Sequence, residues 1–186
     1  MMNTLWPKVP LVVLLATGTA FGADSGKAIV FGDLPLDFAV TEVRGSGRRV
    51  FATFEDPYCI YCKRLASEIA DMNDVTIHTF MYPVLTADSV ARAKAIWCSS
   101  NRAKAWRNWM LKGTGSTAAR CNAEAIDELL ALGRKLKVRA TPTIFFADGT
   151  RITGALSKME LEMAISSPQV MAYQADLGKK KKSSPR

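Results

Sequence analysis

Apolar positions along the chain fall in short blocks separated by polar turns. In DLPLDFAVTEV, Leu36, Ala39, Val40 and Val43 keep the i, i+3, i+4, i+7 spacing, which predicts a short amphipathic helix ended by Gly45-Ser46-Gly47. RRVFATFED carries a nearly continuous apolar core, Val50, Phe51, Ala52 and Phe54, at strand length. That suits a strand buried on both faces, broken by Asp56-Pro57. In CKRLASEIADM, Leu65, Ile69 and Met72 recur at helical spacing, so a helix begins at or just after Cys59. DVTIHTFMY alternates through Val75, Ile77, Thr79 and Met81 and predicts a second strand. From Asp88 to about Leu111 the pattern is helical, and Gly113 to Ser116 is a loop. Asn122 is placed to cap a further helix, with Ile126, Leu129, Leu130 and Gly133 on one face. TPTIFFADGTRITG predicts a hairpin around Asp148-Gly149, and Lys158 to Ile165 a last helix. Strands early and late with helices between them imply an α/β domain, a mixed sheet covered by helices with a helical insertion.

Size and charge narrow the function classes. The chain has 186 residues, 48% of them hydrophobic, enough for one compact domain with a real core. Its first stretch, MMNTLWPKVPLVVLLATGTAFGA, has a basic start at Lys8, a short apolar run and small residues at Ala20 and Gly22. This predicts a cleaved signal peptide over residues 1–22 and export, because the run is far short of the roughly 20 residues of a membrane span. No later segment is long enough to span either. The net charge of +8 invites a nucleic-acid reading, but Lys8, Lys179 to Lys182 and Arg186 carry most of it. Without them 19 basic residues face 17 acidic ones, so the body is nearly neutral and no nucleic-acid partner is expected. The tail, residues 168–186, reads as a flexible basic end, with weak attraction to an anionic membrane surface as its other reading.

Export matters for the four cysteines, Cys59, Cys62, Cys98 and Cys121, which outside the cytosol tend toward disulfides. Four cysteines allow three pairings. The pair in FEDPYCIYCKRL is two residues apart. Covalent haem is excluded because Lys63, not histidine, follows Cys62. A structural zinc site needs four ligands; His78 is the only histidine, and Cys98 and Cys121 lack ligand spacing, so no metal is expected. His78 reads as a strand residue, at the surface or satisfied in the core. As a staple the pair would close a tiny loop and remove little chain entropy. As a redox pair it is well placed. Cys59 lies where a buried strand meets a helix N-terminus, whose unpaired N–H groups and dipole stabilise a thiolate, and Lys63 and Arg64 add positive charge. Cys59 is thus the attacking cysteine and Cys62 the resolving one. Ala140-Thr141-Pro142-Thr143 precedes an apolar strand, where a proline is tolerated. Trp97, Trp106 and Trp109, at helical spacing beside Met110, read as packing rather than as a substrate groove.

Over residues 33–165 the sequence resembles the thioredoxin fold, and within it the catalytic domain of bacterial periplasmic disulfide isomerases of the DsbC/DsbG type. The resemblance rests on DLPLDFAV, FEDPYCIYCKRL, KAIWC (Lys94 to Cys98), Cys121, LALGRKLKVRATPT and FADGTRITGAL. It implies a cis Pro142 facing the active-site cysteines, a Thr141 backbone that pairs with bound substrate, and a structural disulfide between Cys98 and Cys121. It also implies a periplasmic thiol:disulfide isomerase or reductase without a bound cofactor. Its clients would be exported proteins with cysteines, and its electrons would come from a membrane thiol reductant of the DsbD type. In these terms residues 23–47 are the end of a linker helix and 48–167 the catalytic domain. The family's N-terminal dimerisation domain has no counterpart, which makes a monomer the expectation. Two positions depart from the pattern. Ile60 stands where a small or polar residue is expected, and Thr53 occupies the position, six before the first cysteine, where many thioredoxin-like proteins bury an acid. Glu55 and Asp56 are nearby, with Asp56-Pro57 read as shaping the turn. The competing reading from another class is a non-catalytic periplasmic module holding a soft ion such as Cu(I) on Cys59 and Cys62. Such a site usually adds histidine or methionine, and neither lies within several positions of Cys59.

Overall fold

The computed structural model describes residues 31–115, 121–172 and 174–175. The expected signal peptide and the lysine run of the tail lie outside them. Five strands form one sheet: β1 (Val40–Arg44), β2 (Arg49–Glu55), β3 (Val75–Met81), β4 (Thr143–Phe146) and β5 (Arg151–Thr153). Their order across the sheet is β1-β3-β2-β4-β5. β2 and β3 run parallel and the other pairs antiparallel. Helices α1 (Ile60–Glu68), α2 (Ala87–Trp97), α3 (Arg102–Lys112), α4 (Ala125–Lys135) and α5 (Lys158–Ile165) surround the sheet.

β2 is the centre of the molecule, and Phe51 through Glu55 are all buried. On one side Phe54 stacks on Phe80 at 4.8 Å and meets Phe145 edge-on at 5.4 Å. This core continues through Ile96, Trp106, Ile126 and Leu129. On the other side Phe51 packs with Leu65, Ile77, Ile144 and Leu161. α4 approaches the sheet closely because Gly133 has no side chain; a Cβ there would lie 2.3 Å from the Tyr82 ring. The hairpin turns at Asp148-Gly149, where Gly149 takes φ 89° and Asp148 accepts the Thr150 amide.

Three expectations change. The helix predicted over 36–43 is instead a 3-10 turn (Leu36–Phe38) followed by β1. Only Val40 and Val43 of the four apolar positions fall in β1, and on opposite faces, Val40 buried and Val43 exposed; what decides for the strand is backbone pairing with β3, Val40 opposite Thr79 and Arg44 opposite Val75. The packed body is consequently wider than residues 48–167. Phe31, Leu34 and Val40 lie in the core at one end; at the other, Val170 is 2% exposed and Gln174 donates to the Val50 carbonyl. The stretch from Asp88 to about Leu111 is helical as expected, in two helices separated at Cys98–Asn101, where Asn101 caps α3. Asn122 does not cap α4: its Oδ1 accepts the Glu124 amide, one turn short of the helix, and Glu124 takes the cap position.

Candidate active site

Two chain crossings bring the site together. β2 runs out of the sheet at Glu55, and the chain turns through Asp56-Pro57-Tyr58 into α1. Cys59 is the N-cap residue of α1, and its Sγ accepts the Cys62 amide at 3.3 Å. A cap sulfur thus does what a serine or aspartate oxygen usually does. The second crossing is the chain entering β4. The Thr141–Pro142 peptide bond is cis, and Cys59 Sγ lies 3.2 Å from the Thr141 carbonyl oxygen, to which its thiol donates. Cys59 and Cys62 are both free thiols; Cys59 is 5% exposed and Cys62 fully buried. Ile60 and Tyr61, at 74% and 60% exposure, stand out beside them.

Asp56 anchors the turn. It is fully buried, and its carboxylate accepts from the Tyr58, Val84 and Leu85 amides and from the Ser89 hydroxyl, all at 2.8–2.9 Å. The cysteine turn is thereby tied to the loop before α2 and to α2 itself. Trp109 of α3 holds the next residue: its indole N–H donates to the Pro57 carbonyl at 2.6 Å. The Arg92 guanidinium lies 3.7 Å from its ring centre, the Lys63 ammonium 5.2 Å away, and the Tyr58 ring meets it at 63°. Trp109 is buried, as read from the sequence, but it packs against the active-site turn rather than only within the helical layer.

Glu55 is the group that sequence reasoning passed over. Residues two apart on a strand share a face, so Thr53 and Glu55 both point inward. The Thr53 hydroxyl donates to Glu55 Oε1 at 2.6 Å, and Oε2 has no hydrogen-bond partner among the described residues. Burial raises the carboxyl to about 7, against the opposing pull of the Thr53 bond. Burial also pushes the Cys62 thiol up, and the Glu55 charge adds to it. The buried acid absent from position 53 is thus present two residues further along the same face. The signal was its parity with Thr53, which Asp56 beside it obscured.

Cys98 and Cys121 are joined in a disulfide with Cα atoms 5.5 Å apart, linking the end of α2 to the segment before α4. His78 is 9% exposed on β3, with Nδ1 2.8 Å from the Thr41 hydroxyl. Among the described residues, no three His, Cys, Asp or Glu side chains gather in an arrangement that could hold a metal ion, and no helix is long and apolar enough to cross a membrane.

The family model described as a thioredoxin-like domain matches residues 36–167. A probable thiol:disulfide interchange protein DsbC of Bordetella pertussis is 50% identical over 135 residues, covering 73% of this chain and 48% of that protein. The thiol:disulfide interchange protein DsbC of Escherichia coli K12 is 30% identical over 128 residues, covering 67% and 53%. The chain therefore spans about half the length of the curated relatives it matches. The crystal structure of a disulfide interchange protein from Neisseria gonorrhoeae superposes with a TM-score of 0.69 at 38% identity, covering 73% of this chain and 99% of that one. The chain belongs to the thioredoxin-like domain family, among relatives named thiol:disulfide interchange proteins.

Proposed function

We propose that this chain carries out thiol–disulfide exchange on the cysteines of exported proteins, as a reductase or isomerase. The observation that carries the reading is the setting of Cys59 Sγ between the Cys62 amide and the Thr141 carbonyl, at the edge of the protein surface. The Cys59 thiolate attacks one sulfur of a client disulfide. That S–S bond breaks, a mixed disulfide forms, and the departing client sulfur takes a proton. Resolution then requires Cys62 to lose its proton deep in the core. Glu55, a buried carboxyl with one oxygen unpartnered among the described residues and a charge that bears on that thiol, would take it. The Cys62 thiolate attacks Cys59 Sγ and releases the second client thiol, and two electrons have passed to the client. In isomerisation the freed client thiolate attacks a second client disulfide; the thiolate released there attacks the client sulfur bonded to Cys59, a new client disulfide forms, and Cys59 and Cys62 return as thiols.

Pro142 and the Thr141 backbone would seat the client strand across Cys59, and the Cys98–Cys121 bond would hold the helical insertion that grips the turn. Export to the periplasm and re-reduction by a membrane thiol reductant of the DsbD type complete the proposal; the basic start, short apolar run and small residues at Ala20 and Gly22 support the first. The test is mass analysis of Cys62→Ser mixed with a disulfide-bonded peptide. A stable adduct through Cys59 is expected with Cys62→Ser and none with Cys59→Ser. Equal labelling of the two variants would reject the assignment of roles.

A further inference from the structure

Arg134, Lys135, Lys137 and Arg139 place four cations in the six residues that lead from the end of α4 to the Thr141 loop, and all four are exposed. No acidic residue lies three or four positions before any of them. Arg151 joins them from β5. Its guanidinium donates to the Leu136 carbonyl at 2.9 Å and lies over the Phe145 ring, which fixes its direction. Lys137, Arg139 and Arg151 line one surface depression with Thr143 and Thr153. Among the described residues Arg134, Lys135, Arg139 and Arg151 make no ion pair. Arg139 is two residues from Thr141, hence within about 7 Å of it along the backbone. The carbonyl of Thr141 is 3.2 Å from Cys59 Sγ. The concentration of positive charge is local, because the body as a whole is nearly neutral.

We propose that this basic ledge is a subsite for acidic residues of the client polypeptide, beside the cysteine under attack. The inference rests on the exchange reading above and adds a specificity to it. A client segment lying across Cys59 meets exposed apolar side chains at Ile60 and Tyr61, and cations at Arg139 and beyond. Aspartate or glutamate within a few residues of the client cysteine reaches the cations inside the Debye length of about 8–10 Å. Such a field raises the local concentration of acidic segments and their encounter rate. Thr153, exposed beside them, adds a hydroxyl that a carboxylate can use, whereas the buried Thr143 hydroxyl donates to the Ala140 carbonyl at 2.6 Å.

The experiment uses the full chain, reduced, and three peptides of one sequence. Each carries a single cysteine as a mixed disulfide with neutral 2-mercaptoethanol, flanked on both sides by glutamate, glutamine or lysine. Release of the peptide thiol is followed at low salt and in 0.5 M NaCl. The glutamate peptide is expected to react about 5- to 10-fold faster than the glutamine peptide at low salt, and the lysine peptide slower than both, with the spread collapsing in salt. Arg139→Glu should narrow the spread between the glutamate and lysine peptides while leaving the glutamine rate unchanged, which loss of folding cannot do. Lys104→Glu, the same charge change on the first turn of α3 and without an ion pair among the described residues, should keep the spread. Equal rates for the three peptides, or an unchanged spread in Arg139→Glu, would overturn the subsite while leaving the exchange reading intact. Failure of the glutamine peptide to react at all would remove both. If the order is absent but anionic phosphatidylglycerol vesicles bind the wild type and release Arg139→Glu, the ledge is a membrane face and the subsite is wrong.

Discussion

Replacing Glu55 by glutamine tests the electrostatics of the buried site. Glu55 is 1% exposed, and its carboxyl is raised from 4.5 to about 7 by burial. Between those values the folded chain holds a proton that the unfolded chain has lost. Stability therefore falls as pH rises through this window, the opposite of a salt-bridged carboxylate. A shift of this size corresponds to about 3 kcal/mol, fully expressed above pH 7 and absent below pH 4.5. Glutamine is nearly isosteric, keeps an acceptor for the Thr53 hydroxyl and does not titrate. The stability difference, Glu55→Gln minus wild type, should thus rise by about 3 kcal/mol from pH 4.5 to pH 8. His78 is the same in both chains and cancels in this difference. The raised Cys62 thiol stays protonated throughout. The assay is urea unfolding of the reduced proteins at several pH values, followed by tryptophan fluorescence. Parallel pH profiles for the two proteins, or a wild type that gains on the variant as pH rises, would refute the reasoning.

Three further outcomes follow from the geometry. Asp56→Asn puts an amide N–H₂ where amide donors or the Ser89 hydroxyl point, so it should cost about 3 kcal/mol by urea unfolding and slow exchange through a loosened turn. Cys98→Ser with Cys121→Ser opens a loop of sequence separation 23 and should cost roughly 3 kcal/mol, read as a lower midpoint that added reductant no longer changes. Gly133→Ala drives a methyl into the Tyr82 ring and should cost about 1–3 kcal/mol, a cost that Tyr82→Leu in the same chain relieves in part.

How much of this was legible in the sequence depends on where each element finds its partners. β2 could be read because its apolar run, Val50 to Phe54, has no amphipathic helical alternative, and α5 because its bounds are marked locally, with Ser157 and Glu160 closing a capping box. β1 could not. Leu36 to Val43 satisfies a helical spacing, and only its pairing with β3, more than thirty residues away, decides for the strand. At the site, Cys59 and Cys62 announce themselves by spacing. Glu55 does not: its parity with Thr53 is visible in the strand, but its role comes from complete burial, which a sequence does not show. The hold of Trp109 on Pro57 is of the same kind, a contact between residues 52 apart.

The central claim is that Cys59 and Cys62 form a working redox couple. It is tested most directly by equilibrating the protein in glutathione buffers of graded potential, trapping free thiols with an alkylating reagent and counting them by mass. Two thiols should titrate as one couple, with a midpoint between about −120 and −270 mV, while Cys98 and Cys121 stay bonded. Cys59 and Cys62 remaining oxidised at every potential, or all four cysteines moving together, would contradict it.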